Sequence, residues 1–353
     1  MSDLLRDLWY FAAASGEVKR GQMFRREILG EPVVIGRDAN GEAFAMRDIC
    51  PHRAVPLSAG RVVANGGAQT VECPYHGWRF GVGDGVCKLI PSLAEGQEYE
   101  ASRIRVRRYP THEANGIILA YVSSDPRFAD APPPPPEFGL GDLSKPKFVI
   151  HRIFAATMDN AVVGLMDPAH VPYVHSQWWW RPPSLGKKLK EKRFVPRERG
   201  WAIERHKPAS NSLGYRILFG DTDVTTEISF MLPGFRWEVV ETKRSRVFTL
   251  TCLTPENENS TRITQVTYWK NAPWLDVIKP ILVPAGLEFL DQDGRMVDLQ
   301  NSGLKYTQSM LWIDDIDVQA KWYLKLKREW VKSQEEKRAF VNPIEPTTLR
   351  WMS

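Results

Sequence analysis

Two short stretches decide the reading: Cys50-Pro51-His52-Arg53 and, after a gap of nineteen residues, Cys73-Pro74-Tyr75-His76-Gly77-Trp78. Each supplies one thiolate and one imidazole, at C-x-H and C-x2-H, and the second repeats the first as Cys-Pro…His. Four soft or borderline ligands in two paired loops hold a metal or a cluster. Zinc fingers usually pair Cys with Cys at short spacing and His with His later, an arrangement these loops do not follow, yet structural zinc remains a rival. Outward from the loops the sequence reads as short strands. Arg25–Arg37 alternates into an Asn40-Gly41 turn and resumes at Ala43–Met46, Asp84-Gly85 marks another tight turn, and Gly116–Val122 is a further apolar strand. A small antiparallel sandwich is expected. Cys87 and Cys252 have no histidine at ligand spacing and read as buried strand cysteines.

A second constellation follows at Asp167-Pro168-Ala169-His170-Val171-Pro172-Tyr173-Val174-His175, or D-x2-H-x4-H. On a regular helix, positions five apart differ by about 140° and could not converge on one ion. Pro168 and Pro172 break that regularity, so the segment can bend until both imidazoles point inward. Two histidines and one carboxylate on one face of Fe(II) leave positions open for O2 and substrate. The carboxylate must come from elsewhere. Leu290-Asp291-Gln292-Asp293-Gly294-Arg295 lies on an expected helix running to Gln300; Asp291, Asp293 and Asp298 are its candidates, and the family resemblance given below points to Asp293.

The wider context, Asp48-Ile49-Cys50-Pro51-His52-Arg53 and Cys73-Pro74-Tyr75-His76-Gly77-Trp78, resembles the ligand loops of Rieske non-haem iron oxygenases. In that pattern one iron takes two cysteines and the other two histidines, whose neutral rings raise the cluster's potential. Trp9-Tyr10, the central histidine motif and the late Gln292-Asp293 pair are similar to the family as well. The resemblance implies that Cys50, His52, Cys73 and His76 hold a [2Fe–2S] cluster and that His170, His175 and Asp293 hold a mononuclear Fe(II). It implies that Asp167 bridges His170 to a cluster histidine, His76, of a neighbouring subunit. One departure stands out: many relatives carry an acid-Asn pair seven and six residues before the first iron histidine, where this chain has Val163-Gly164. Asp159-Asn160 lies four residues earlier.

The same resemblance implies an α+β protein: an antiparallel β Rieske domain, then a START-like helix-grip catalytic domain with antiparallel sheet and helices. The expected boundaries are 1–130, a proline-rich linker at 131–137, and 138–353. The implied activity is that of a terminal oxygenase, inserting oxygen from O2 into an aromatic or polycyclic substrate by hydroxylation or oxidative demethylation. Ring cis-dihydroxylation is the runner-up, and a zinc-stabilised ligand-binding protein the rival from another class. No GxGxxG occurs, so electrons would come from a separate reductase, with or without a ferredoxin. At 353 residues the chain is short for an α subunit of the ring-dihydroxylating α3β3 group, and a homotrimer without a small subunit is expected.

Composition sets outer limits. A hydrophobic content of 43% with 25% charged residues is globular. The net charge of +5 reflects 47 Lys and Arg against 42 Asp and Glu, too even for a nucleic-acid footprint. No run approaches the ~20 apolar residues of a membrane span, and Leu8–Ala14 reads as structural rather than as a signal peptide. Four cysteines in so long a chain fit a reducing cytoplasm. After the linker, Thr157–His175 reads as helix at first, Arg216–Trp237, Arg246–Cys252 and Thr261–Trp269 as strands, and Val283–Leu304 and Asp315–Arg338 as helices. Trp178-Trp179-Trp180 could wall a pocket. Residues 181–199 hold eight basic residues against two acids; their Pro and Gly content suggests a mobile basic loop near the pocket mouth, attracting an anionic substrate or an acidic electron carrier.

Overall fold

The computed structural model describes residues 4–65, 68–97, 99–125, 131–175, 186–208, 213–220, 223–307 and 310–353. Two compact units emerge, one of residues 1–139 with Thr254–Asn257, the other of Leu140–Leu253 with Glu258–Ser353.

The first unit is built from short strands. They are β1 (Leu8–Ala14), β2 (Met23–Ile28), β3 (Glu31–Arg37), β4 (Ala43–Arg47), β5 (Arg61–Asn65) and β6 (Ala68–Glu72). There follow β7 (Arg79–Gly81), β8 (Cys87–Leu89), β9 (Arg108–Tyr109), β10 (Thr111–Ala114) and β11 (Ile117–Val122). They pair as three antiparallel sheets, ordered β1-β11-β10, β2-β3-β4-β9 and β5-β6-β7-β8. The Arg25–Arg37 run is two strands, not one. Leu29 and Gly30 both take positive φ, 55° and 74°, so a two-residue turn of matching twist folds β2 onto β3. One core cluster joins Val34, Phe44, Met46, Leu57, Val71, Phe80 and Val106 with Cys50, Cys73 and Cys87. The proline-rich stretch belongs to this unit, where the Trp9 indole N–H donates to the Pro133 carbonyl at 3.0 Å.

The second unit opens with β12 (Phe148–Phe154), α1 (Met158–Met166) and the single turn α2 (Val171–Val174). Next come β13 (Leu189–Arg197), β14 (Gly200–His206), α3 (Leu213–Phe219), β15 (Thr225–Met231), β16 (Phe235–Glu241), β17 (Arg246–Asn257) and β18 (Ser260–Lys270). Two long helices, α4 (Pro273–Leu304) and α5 (Val318–Glu335), precede β19 (Thr347–Met352). The sheet has eight strands in the order β12-β18-β17-β16-β15-β14-β13-β19. Against it lies α4, close to β12: a Cβ on Gly286 would come within 2.8 Å of Ile150 and one on Gly294 within 3.4 Å of Phe154. Glycines eight apart thus open one stripe of the helix to the strand.

Three expectations need correction. The run Arg216–Trp237 is not all strand, since its first residues belong to α3; β-branched and aromatic content did not separate a short buried helix from a strand. The late helix begins ten residues before Val283, carrying Pro280 and Pro284 inside it. Each proline forfeits one intrahelical bond, and packing of the helix against the sheet offsets that loss. The basic segment is not a loop throughout. Residues 189–197 form β13, and strand alternation turns Lys190, Lys192 and Phe194 to one side and Leu189, Glu191 and Arg193 to the other. Trp178–Trp180 and residues 181–185 lie outside the described residues.

Candidate functional site

Helix α1 stops where Asp167-Pro168 follows Met166, because a residue before proline is pushed out of the α region. Asp167 is extended there (φ −70°, ψ 118°), and its Oδ1 accepts the Ala169 N–H at 2.7 Å. That turn delivers His170 to the head of α2, and the one helical turn delivers His175 to its tail. Spacing of i and i+3 would put Asp167 and His170 on one face of a continuous helix, which the chain does not form here. Asp167 reaches the same neighbourhood by the turn instead, with Oδ2 3.6 Å from His170 Nδ1.

From the far end of the chain, α4 brings Asp293 to the pair. Its Oδ1 lies 3.0 Å from His175 Nε2 and 3.7 Å from His170 Nε2, and the two Nε2 atoms are 3.3 Å apart. All three groups offer a ligand atom within 4.8 Å of the others. The other acids of the helix point elsewhere. Asp291 makes a two-pronged ion pair with Arg152 on β12, at 2.6 and 3.0 Å, and Asp298 is exposed.

The protonation of His175 follows from its second nitrogen. Nδ1 lies 2.8 Å from Gln292 Oε1, and an amide oxygen can only accept, so Nδ1 carries the proton. Nε2 then presents its lone pair to the Asp293 carboxylate. The two atoms lie 3.0 Å apart, a distance that calls for a proton or a metal ion to link them. The ring is fully buried and stacks on Phe289, one helical turn before Asp293, at 3.5 Å and 14°. This donor set, two imidazoles and one carboxylate, fits Fe(II) with positions left open.

In the first unit the two Cys loops are congruent. The Cys50 N–H donates to the Val55 carbonyl at 2.9 Å and the Cys73 N–H to the Trp78 carbonyl at 2.8 Å. Four residues past each cysteine, the N–H of Ala54 or Gly77 returns to the Cys50 or Cys73 carbonyl. Both of those residues take positive φ, 58° and 70°. The repeated folding puts both thiols in the hydrophobic core and both imidazoles outside it, His52 half-buried and His76 exposed. The two rings lie 4.6 Å apart, and His52 stacks on Trp78 at 4.5 Å. Burial pushes the Cys50 thiol above its ordinary range, and the adjacent Cys73 adds to that. Burial likewise pulls the His52 pKa down, helped by the nearby His76. Its Nδ1 is buried with no hydrogen-bond partner. A buried Cys50 thiol reluctant to ionise without compensating charge, the buried Cys73 beside it and an imidazole with an unsatisfied nitrogen fit an iron–sulfur cluster held by two sulfurs and two nitrogens.

Residues 8–110 match the Rieske [2Fe-2S] domain family, and residues 154–329 match the vanillate O-demethylase oxygenase C-terminal domain family. The chain belongs to the Rieske non-haem iron oxygenases. The cofactors of these two domains are a [2Fe–2S] cluster and a mononuclear iron. This Rieske oxygenase chain is 40% identical over 169 residues to 4beta-methylsterol monooxygenase of Methylococcus capsulatus, a stretch covering 47% of this chain and 44% of that protein. It is 35% identical over 179 residues to the 3-chlorobenzoate-3,4-dioxygenase oxygenase subunit of Comamonas testosteroni, covering 50% and 39%. The match spans less than half the length of these curated relatives. Among solved structures, dicamba monooxygenase bound to 3,6 dichlorosalicylic acid superposes with a TM-score of 0.73 at 22% identity, covering 96% of this chain and 99% of that one. NdmB of Pseudomonas putida CBB5 does so at 0.70 and 20% identity, covering 99% and 97%.

His170 and Asp293 of this Rieske oxygenase open onto a cavity of about 470 Å3 in the second unit. Its walls include Phe148, Ile150, Val240, Val247 and Leu282, with Phe289 beside the histidines. Sequence reasoning gave no role to Gln292 or Phe289. Both were accessible in principle, since Phe289 precedes Asp293 by one helical turn and Gln292 adjoins it, so the three share a side of the helix. Nor was a role assigned to His206 or Glu238, which line the cavity from strands; their proximity depends on the order of strands in the sheet, which local pattern does not reveal.

Proposed function

We propose that the chain is the terminal oxygenase component of a multicomponent system, hydroxylating or oxidatively demethylating an apolar cyclic substrate held in the 470 Å3 cavity. The observation that carries this reading is the convergence of His170 Nε2, His175 Nε2 and Asp293 Oδ1 at the wall of that cavity. With both centres loaded, the chemistry supplied there is stepwise electron delivery and activation of O2.

The chain's own residues do the rest. Apolar walls strip water from the substrate and hold it against the open side of the triad. Gln292 fixes the His175 ring and its tautomer, and Phe289 seals the ring's buried face. Asp167, oriented by the Ala169 N–H, faces the Nδ1 side of His170. From there it would link His170 to a cluster histidine, His76, of a neighbouring copy in a homotrimer. The exposure of His76 and of Tyr75, 61% exposed, supports that role.

Hydroxylation or demethylation is placed ahead of ring dihydroxylation because the second unit matches the vanillate O-demethylase C-terminal domain. The donor would be a separate reductase, with or without a ferredoxin. Four free cysteines suit a reducing compartment such as the cytoplasm, and no helix among the described residues is long and apolar enough to cross a membrane. The test is the purified protein itself. Iron content with visible and EPR spectra should show a cluster plus one further iron, and a surrogate reductase should support NADH- and O2-dependent turnover of some cyclic substrate. A colourless zinc protein would overturn the reading.

A further inference from the structure

The cavity walls carry charge as well as apolar surface, and the charges are unequally served. Asp167 and Asp293 belong to the histidine group described above. Glu238 accepts hydrogen bonds from the hydroxyls of Tyr215 and, at 3.2 Å, Thr226, and its other oxygen lies 3.5 Å from Arg236. Lys192 differs. Its ammonium has three donors but makes a single long hydrogen bond, 3.4 Å to the Lys207 carbonyl. Among the described residues no carboxylate pairs with it. Its neighbour His206 gives its Nδ1 proton to the Glu204 carbonyl at 2.8 Å, and burial pulls that ring's pKa down. Strand alternation places Lys190, itself buried, on the same side of β13.

A half-buried ammonium without a counter-ion is costly, and burial accordingly pulls the Lys192 pKa down. A solvated surface lysine would have been cheaper at this position. The cost is recovered when an anion enters the cavity and makes charge-assisted hydrogen bonds in a low-dielectric setting.

We infer that the substrate is an apolar cyclic acid whose carboxylate docks on Lys192, while its ring system lies along Phe148, Ile150 and Val240. A single primary ammonium with Lys190 nearby suits a monoanion; a phosphate would call for several convergent donors. The inference rests on the oxygenase reading only for what happens to the ligand after it binds.

Calorimetry on the metal-loaded protein tests it with matched pairs: benzoate and benzamide, naphthalene-2-carboxylate and its carboxamide, biphenyl-4-carboxylate and its carboxamide. At least one acid should bind about 10- to 100-fold more tightly than its own amide, the range of hydrogen bonds to a charged group. Lys192→Met should bring that preference down to about twofold or less, by weakening the acid and not the amide, and Lys192→Arg should retain most of it. Retained amide binding by Lys192→Met shows that the variant is folded. The inference fails if no acid outbinds its amide in the unaltered protein, or if a preference survives Lys192→Met. Iron content and spectra of the same samples report on the oxygenase reading separately, so an acid preference in an iron-free protein would uphold the anion site and sink the oxygenase.

Discussion

Gln292 holds His175 from behind: its side-chain oxygen accepts the Nδ1 proton at 2.8 Å, which turns the Nε2 lone pair toward Asp293. Removing such an outer partner typically costs about 10- to 100-fold in metal affinity. Gln292→Leu should therefore lose its mononuclear iron to a chelator at concentrations that leave the unaltered protein loaded. Gln292→Glu, which still accepts the proton, should keep the iron. Equal retention by both variants would remove Gln292 from the metal site.

Asp293 and Asp291 sit two residues apart on α4 and should behave in opposite ways. Asp293→Ala should abolish turnover and the non-cluster iron while the visible spectrum of the cluster stays. Asp291→Ala breaks only a partly exposed pair with Arg152, so it should cost less than about 1 kcal/mol of stability and leave the iron in place. Iron analysis of the two purified variants settles it. Loss of iron from Asp291→Ala would mean that this helix turns differently in the loaded enzyme.

These contrasts mark where sequence ended and structure began. The Cys-Pro…His repeat was legible because both loops place ligands by local turns, and the same holds for His170 and His175 around the single turn between Pro168 and the next strand. Asp293 could be placed on a helix but not oriented, since three acids share α4 and only the packing of Gly286 and Gly294 against β12 chooses its inward side. Lys192 was visible as part of a basic run and misread as loop. Alternation of neighbours facing in and out is the strand signal there, and the charge of Lys190 and Lys192 disguised their inward positions as polar ones.

The cysteines offer a clean separation. Cys73 and Cys87 are both buried in the same core, but only Cys73 lies on a loop that also presents a histidine. Cys73→Ala should bleach the protein. Cys87→Ala should leave the spectrum unchanged, at the modest stability cost of a small buried side chain. Bleaching by Cys87→Ala with colour retained in Cys73→Ala would reassign the cluster.

Glu31 gives the first unit a pH dependence of predictable sign. Burial alone would raise its pKa, but hydrogen bonds from Tyr109 and Arg6 and the charge of Arg107 outweigh that and hold it below the ordinary 4.5. A depressed carboxylate contributes stability that is full above its unfolded pKa and is lost as pH falls through the folded one. Glu31→Gln should thus destabilise at pH 7, by about 1–3 kcal/mol for hydrogen bonds to a charged group. The gap to the unaltered protein should narrow below pH 4.5. Denaturant titrations at pH 7 and at a pH below 4 would show it; a gap independent of pH would mean that Glu31 acts through packing.

The congruence of the two ligand loops makes a last prediction, because the same backbone position is glycine in one and alanine in the other. Gly77 and Ala54 each follow their cysteine by four residues and each takes positive φ, 70° and 58°. A side chain in that region costs roughly 1–2 kcal/mol, so the Ala54 loop already carries strain that the Gly77 loop avoids. Ala54→Gly relieves it while loosening the unfolded chain, and the two effects oppose one another; its melting temperature should stay within a few degrees of the original or rise. Gly77→Ala adds the strain and also brings the new Cβ within 3.1 Å of the Pro91 ring, a contact the proline must yield to. It should lower stability by about 1–2 kcal/mol and speed the loss of cluster colour on warming. Thermal melts followed at a cluster absorption band compare the two directly, and a Gly77→Ala protein as durable as Ala54→Gly would show that the loops are not equivalent after all.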